Sequence, residues 1–284
     1  MDYSIEIQNL CKKYTDFSLK NVSFNVPKGS IVGFIGENGA GKTTTIKSIV
    51  NLIRFDSGTI KVLGKDGLKE GMSIKSKIGV VFDSNFFFEE LTPKNINLIM
   101  KNIMKDWDEP LFLKYCNNWN LPINKSMKSF SKGMKMKTSI ASALAHHPDL
   151  LILDEATSGL DPISRNEILD IFQDFIQDEE HSILFSSHIT SDLEKIADYV
   201  VFIHQGKILF EKEKDELIEN YGVIKAEDLN KYPLANILST QTSRFGVEAL
   251  VDNRSFIKEQ YPDLVMDHAS IDDIMLFYVK GEVR

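Results

Sequence analysis

The sequence predicts an α/β fold built on a buried, mostly parallel sheet, with an inserted helical lobe and a small appended α+β region. Three observations carry that expectation. The apolar run IVGFI at 31–35 enters a glycine-rich turn and then the helix-like stretch TTTIKSIVNLI. Two further apolar runs, LLIL at 150–153 and ILF at 183–185, have the length of buried strands. From about 92 to 137 the pattern changes to helices with polar connections.

Along the chain, residues 5–26 alternate enough for two or three short strands, and PKG at 27–29 makes the turn before IVGFI. DSGTIKVLGKDG at 56–67 has the glycine and aspartate spacing of short strands joined by turns, and KIGVVF at 77–82 is another strand. The lobe begins at LTPKNI and is broken between Asp106 and Pro110 and again at Leu121-Pro122. SIASALAHHP at 139–148 reads as a separate, returning helix that His146 and His147 help to end. SDLEKIADYV is a helix, and VFIHQGKILFE a hairpin turning near Gln205-Gly206. Past about Asn220 this pattern stops. VEALV, a helix at SFIKEQY and another at SIDDIMLFYVKG make up the appended region, so the expected division is 1–220 and 221–284.

Composition narrows the function classes. The 33 basic and 41 acidic residues leave a formal net charge of -8, which offers no general attraction to nucleic acid or an anionic bilayer. Lys61, Lys65, Lys69, Lys75 and Lys77 make a local basic group, read as a solvated face. Cys11 and Cys116 form no metal or redox motif, which fits a reducing compartment. No charge-free apolar run reaches bilayer length, and the start MDYSIEIQNL carries two acids where a secretory leader has lysines. The expectation is a cytosolic chain that depends on another polypeptide for any membrane crossing.

The sharpest motif is GENGAGKT at 36–43, a complete match to G-x-x-x-x-G-K-[ST]. Its glycines, Gly36, Gly39 and Gly41, let successive N–H groups converge on a phosphate, and the following helix adds its positive end. Lys42 would then reach the β and γ phosphates and Thr43 would offer its hydroxyl to Mg²⁺. LLILDE supplies the carboxylates: Asp154 at the strand end for Mg²⁺, and Glu155 to orient and deprotonate the attacking water. His188 ends ILFSSH at the same sheet edge, in reach of the γ phosphate or that water. FSKGM at 130–134 places Ser131 as a helix cap but crowds Lys132, Lys135 and Lys137 into the first turns, where the helix field disfavours cations. An anionic neighbour is expected there, either a ligand or an acidic protein surface.

In chain order, Tyr14, GENGAGKT, FSKGM, LLILDE, SGLD at 158–161 and His188 resemble the ATP-binding-cassette family, the ATPase subunits of ABC transporters, over about residues 3–215. The resemblance implies a P-loop NTPase fold of the ABC ATPase type that uses ATP and Mg²⁺. It implies that nucleotide lies between two head-to-tail copies, identical or paralogous. It assigns nucleotide contacts to Gly36, Asn38, Gly39, Ala40, Gly41, Lys42, Thr43 and Thr44, and adenine stacking to Tyr14, whose plain alternative is a core tyrosine in a strand. Ser131 and Gly133 would touch the γ phosphate held by the opposite copy. Ser158 to Asp161 resemble the loop that communicates across the dimer, Glu155 the catalytic glutamate and His188 the switch histidine.

Three positions depart from the family pattern: Lys132 stands where glycine is usual, Met134 where glutamine is common, and Asp83 where a glutamine links nucleotide to the membrane partner. Asp83 joins Thr43 and Asp154 as a metal candidate, with a local Asp83-Ser84-Asn85 turn as the alternative. The tail resembles that of small bacterial exporters of peptides or antibiotics. The implied partners are a second ATPase subunit and an integral permease, which would hold the chain peripherally at the cytoplasmic face of the membrane. Two other classes use the same fold. A soluble DNA or ribosome motor would need a long coiled-coil insertion or a second cassette, neither of which is present. A regulatory module with little turnover is opposed by Glu155 and favoured by Lys132 and Asp83.

Overall fold

In the computed structural model, which describes residues 2–83, 87–229, 237–243 and 246–281, alternating burial turns β1 (Tyr3–Lys13) and β2 (Ser18–Pro27) into an antiparallel pair with one buried face. The chain leaves this sheet for β3 (Ile31–Ile35) and α1 (Lys42–Ile49), then returns as β4 (Ser57–Val62) and the two-residue β5 (Lys65–Asp66), giving the order β2-β1-β4-β5. The short helix α2 (Gly71–Lys75) leads back to the second sheet.

That second sheet holds β3, β6 (Ile78–Val81), β7 (Leu150–Asp154), β8 (Ser182–Ser187), β9 (Tyr199–His204) and β10 (Lys207–Glu213) in the order β10-β9-β3-β8-β7-β6. Its strands are parallel except β10, which pairs antiparallel with β9. Every residue of β3, β7 and β8 is buried, because both faces are covered; this is why their sequences are apolar runs without alternation. Val32, Phe34, Ile152 and Leu184 pack toward the first sheet and α1, while Ile31, Ile35, Leu151 and Phe185 pack toward helices on the opposite face.

The inserted lobe contains α3 (Pro93–Ile103), α4 (Glu109–Asn118), a 3-10 turn at Met127–Ser129 and α5 (Lys132–Leu144). Each helix start has its cap: Thr92 with Asn95 in a capping box, Asp108, and Ser131 accepting from the Met134 N–H. The expected break near 137 is absent. One helix runs from the FSKGM segment to Leu144, since the polar face at Lys135 and Lys137 belongs to the same helix that buries Met136, Ile140 and Leu144. His146 and His147 do end it: His146 is buried with Nε2 3.1 Å from the Ile78 carbonyl, and His147 takes a left-handed backbone at φ 51. Burial pushes the His146 pKa below the usual imidazole value.

The remaining helices are α6 (Pro162–Phe175), which the sequence reading did not anticipate, α7 (Thr190–Ile196), α8 (Lys214–Asn220), α9 (Arg254–Gln260) and α10 (Ile271–Lys280). Asp161, the last residue of SGLD, caps α6 by accepting from the N–H groups of Ile163 and Ser164. A third, antiparallel sheet takes β11 (Gly222–Ala226), β12 (Ile237–Ser243), β13 (Gly246–Val251) and β14 (Met266–His268) in the order β12-β13-β11-β14. One face of this region has its own cluster at Ile224, Ala249, Ile257 and Leu264. Leu250, Ala269, Ile271, Ile274 and Phe277 instead join the main cluster, beside Leu193, Ile196 and Phe202. Of the five grouped lysines, Lys61, Lys69 and Lys77 are paired with Glu6, Asp66 and Asp149.

Candidate functional site

The loop between β3 and α1 is shaped by its glycines. A Cβ on Gly36 would lie 2.4 Å from the Ile203 carbonyl oxygen, so that strand-to-strand approach admits no side chain. Gly39 and Gly41 hold positive φ values of 81° and 119°. Gly41 is the N-cap of α1 and has no side chain to occupy the first amides of that helix. Lys42 is 6% exposed; its Nζ donates to the Gly36 carbonyl at 2.5 Å and lies 3.4 Å from Glu155 Oε1. A lysine this buried requires anionic or carbonyl oxygens around it.

Asp154 ends β7, and its carboxylate is 2% exposed with both oxygens engaged: Thr43 Oγ1 donates to one at 2.8 Å and Ser186 Oγ to the other at 2.6 Å. Glu155 turns out of the strand with φ 56, a left-handed conformation uncommon outside glycine and asparagine, and its N–H is tied to the Ser186 carbonyl. That turn aims its carboxylate at His188, whose Nδ1 is 2.5 Å from Oε2. Among the described residues Oε1 is buried without a hydrogen bond; Lys42 Nζ is near enough for charge attraction but lacks hydrogen-bond geometry. Lys42, Thr43, Asp154, Glu155 and His188 therefore converge, through the β3-β8-β7 neighbour order, on the carboxyl edge of the second sheet. Ser186 was missed by sequence reasoning; the only sign of it was the pair of serines that follows the apolar run ILF in β8.

The other expected residues spread around this centre. Tyr14 follows β1, is 43% exposed rather than a core residue, and stands 5.5 Å (ring centroid) from Lys12 Nζ. Its N–H bonds the Phe17 carbonyl, and the Phe17 ring is 2.9 Å from where a Gly41 Cβ would stand, which sets the Tyr14 turn beside the glycine loop. Asn38 and Gly39 are exposed, Ala40 is buried, and Thr44 is half-buried on the first turn of α1. Ser131 and Gly133 lie at the start of α5, where a Gly133 Cβ would be 3.3 Å from Leu160 of the SGLD segment.

The anionic neighbours expected for the α5 lysines are protein side chains: Lys132 pairs with Asp83, Lys135 with Glu89 and Lys137 with Glu167. Asp83, expected at the metal, accepts from Lys132 Nζ at 2.6 Å, so two of the departures from the family pattern answer each other. Ser84 and Asn85, the rest of the alternative turn, lie outside the described residues. Both partners are about half exposed, so the pair contributes less than about 1 kcal/mol. Asp83→Asn is accordingly expected to leave ATP affinity in chelator equal to wild type in calorimetry. Tighter binding in chelator with a smaller gain on adding Mg²⁺ would return the carboxylate to the metal.

A glycine-shaped phosphate loop facing a hydroxyl-bound aspartate and a glutamate–histidine pair defines a P-loop ATPase site. Comparison with known proteins narrows the class. A sequence model described as ABC transporter matches residues 19–158. The chain is 36% identical over 243 residues to the bacitracin transport ATP-binding protein BcrA of Bacillus licheniformis, covering 81% of this chain and 78% of that protein. It is 39% identical over 214 residues to the lantibiotic transport ATP-binding protein SrtF of Streptococcus pyogenes, covering 74% and 91%. Among solved structures, an ATP-binding subunit of an ABC transporter superposes with a TM-score of 0.66 at 28% identity, covering 75% of this chain and 91% of that one. The chain belongs to the ABC transporter ATP-binding family and is an ATP-hydrolysing subunit. No helix among the described residues is long and apolar enough to cross a membrane.

Proposed function

We propose that this subunit binds Mg-ATP in the β3-to-α1 loop, closes on a second ATPase subunit, and powers a membrane permease that moves a peptide antibiotic or another amphipathic compound. The observation that carries the chemistry is the convergence of Lys42, Glu155 and His188 within hydrogen-bond or ion-pair reach. Lys42 and the first amides of α1 hold the β and γ phosphates, with Gly36, Asn38, Gly39, Ala40, Gly41, Thr43 and Thr44 shaping the cradle and Tyr14 meeting the adenine. Glu155 takes a proton from the water that attacks the γ phosphorus, and ADP leaves. His188 holds the Glu155 carboxylate in direction.

Thr43 and Asp154 are a hard-oxygen set of the kind Mg²⁺ prefers. Thr43 spends its proton on Asp154 and keeps its lone pairs for a cation. When bound, Mg²⁺ neutralises phosphate charge. Ser131 and Gly133 serve the γ phosphate of the facing copy. Ser131→Ala also removes a helix cap, a loss of about 1 kcal/mol in stability. ATP-dependent dimerisation, read by size exclusion, should fall beyond what the lowered thermal midpoint explains; unchanged dimerisation would remove Ser131 from the interface.

The permease reading is supported by Leu98, Ile99 and Ile103, exposed along α3 beside a groove of about 250 Å³ lined by Phe87, Met100 and Met104. The cargo class rests on the bacitracin and lantibiotic transport relatives. Purifying the native complex in mild detergent tests both. A co-purifying integral membrane protein is expected, and a preparation that retains ATPase activity yet carries no membrane partner would overturn the transport role.

A further inference from the structure

The appended C-terminal region touches the hydrolytic centre through one short helix. α7 begins two residues after His188, the residue that holds Glu155. Its inner side is fitted closely against β3: a Cβ on Gly33 would sit 3.0 Å from Leu193 Cδ2 and 3.4 Å from the Ala197 Cβ. Leu193, Ile196 and Ala197 belong to the main cluster, so on this side α7 has little room to move.

The outer side of α7 is covered by α10. Glu194 Oε1 accepts the N–H of Ile271, the first residue of α10, at 3.0 Å. Ser270 and Asp273 form a capping box there, which leaves the Ile271 amide to Glu194. Ile271, Ile274 and Phe277 pack into the cluster that contains Leu193 and Ile196. The far end of α10 is tied to the third sheet, with Ser239 Oγ donating to the Phe277 carbonyl at 3.0 Å and Gln241 Nε2 to the Leu276 carbonyl at 3.2 Å. Tyr278 stacks at a tilt on Phe210 of β10, with ring centroids 5.3 Å apart. On the remaining side, Lys195 reaches Asn166 and Asp170 on α6.

The geometry points to a role for residues 221–281 in hydrolysis: α10 seats α7, and α7 sets the position of His188 against Glu155, with Glu194 as the positioning residue. Glu194 touches no nucleotide-loop residue; it acts by fixing the start of α10 over the helix that follows His188. A short helix of seven residues is too small to hold itself, so its register depends on what covers it. Displacing it by a fraction of an ångström moves the imidazole that orients Glu155, which lowers the chemical step and leaves the phosphate loop untouched.

The inference rests on the roles proposed for Glu155 and His188, and the test separates the two. In the full-length protein, Glu194→Ala is expected to lower kcat roughly threefold to tenfold while KM for Mg-ATP stays at the wild-type value. Glu194→Gln, which keeps an acceptor for the Ile271 amide, is expected to restore most of that loss. In a His188→Ala background, Glu194→Ala should have no further effect, because both substitutions act through the same imidazole. Equal losses in both backgrounds, or an unchanged kcat in Glu194→Ala, overturn the positioning role. Unchanged turnover in His188→Ala alone overturns the site reading on which it depends. Should Glu194→Ala fail to fold, Glu194→Asp withdraws the acceptor from the Ile271 amide by one methylene without touching the packed Ile271 side chain. The same kcat and KM pattern is then expected, and a wild-type kcat again overturns the proposal.

Discussion

Lys42→Ala is expected to abolish ATP turnover and to weaken Mg-ATP binding by about 10- to 100-fold, the equivalent of one charge-assisted hydrogen bond. The side chain is buried between the Gly36 carbonyl and Glu155, and among the loop residues 36–43 only Lys42 carries a cation. Its removal takes away both the positive charge on the phosphates and the charge partner of Glu155 Oε1, which has no hydrogen bond among the described residues. Calorimetry gives the affinity and phosphate release the turnover. A folded Lys42→Ala protein with wild-type turnover would sink the assignment of the loop.

Glu155→Gln is expected to separate binding from chemistry. The amide keeps the size of the side chain and an oxygen to accept from His188, while it can no longer take a proton from water. Turnover should fall by about 10²- to 10⁴-fold, the usual scale for loss of a general base, with ATP affinity near wild type. A complex that binds ATP without cleaving it accumulates in its closed form. Size-exclusion chromatography with ATP should therefore show a dimer that outlives the wild-type one. Turnover within a few-fold of wild type, or no ATP-dependent association at saturating ATP, would count against the roles given to Glu155 and to clamp closure.

Much of this protein was legible because its chemistry is written in short consecutive stretches. GENGAGKT carries its glycines, cation and hydroxyl within eight residues, so neither fold nor partner is needed to recognise a phosphate cradle. The apolar runs of β3, β7 and β8 announced a sheet covered on both faces, since strands wet on one side alternate. The lobe was visible through its caps, yet the run at Lys135 and Lys137 suggested a break inside α5. One exposed face of a helix and a polar connection look alike over so few residues. The start of α6 is written in Asp161 and Pro162, good helix-start residues, but Asp161 also closes the SGLD motif, so one short stretch carries both a cap and a motif.

What the sequence by itself determined is the set of reacting groups and the nature of the sheet that carries them, since both follow from residue type and spacing over a few positions. Tertiary structure decided which distant groups meet. Ser186 reaches Asp154 because β8 and β7 are parallel neighbours, and Lys132 reaches Asp83 because the lobe folds back over the end of β6. α10 lies on α7 because the third sheet turns its apolar helix toward the main cluster. Residues separated by 32, 49 and 77 positions have no local pattern to betray their contact; strand order and helix packing bring them together, and these are properties of the whole chain.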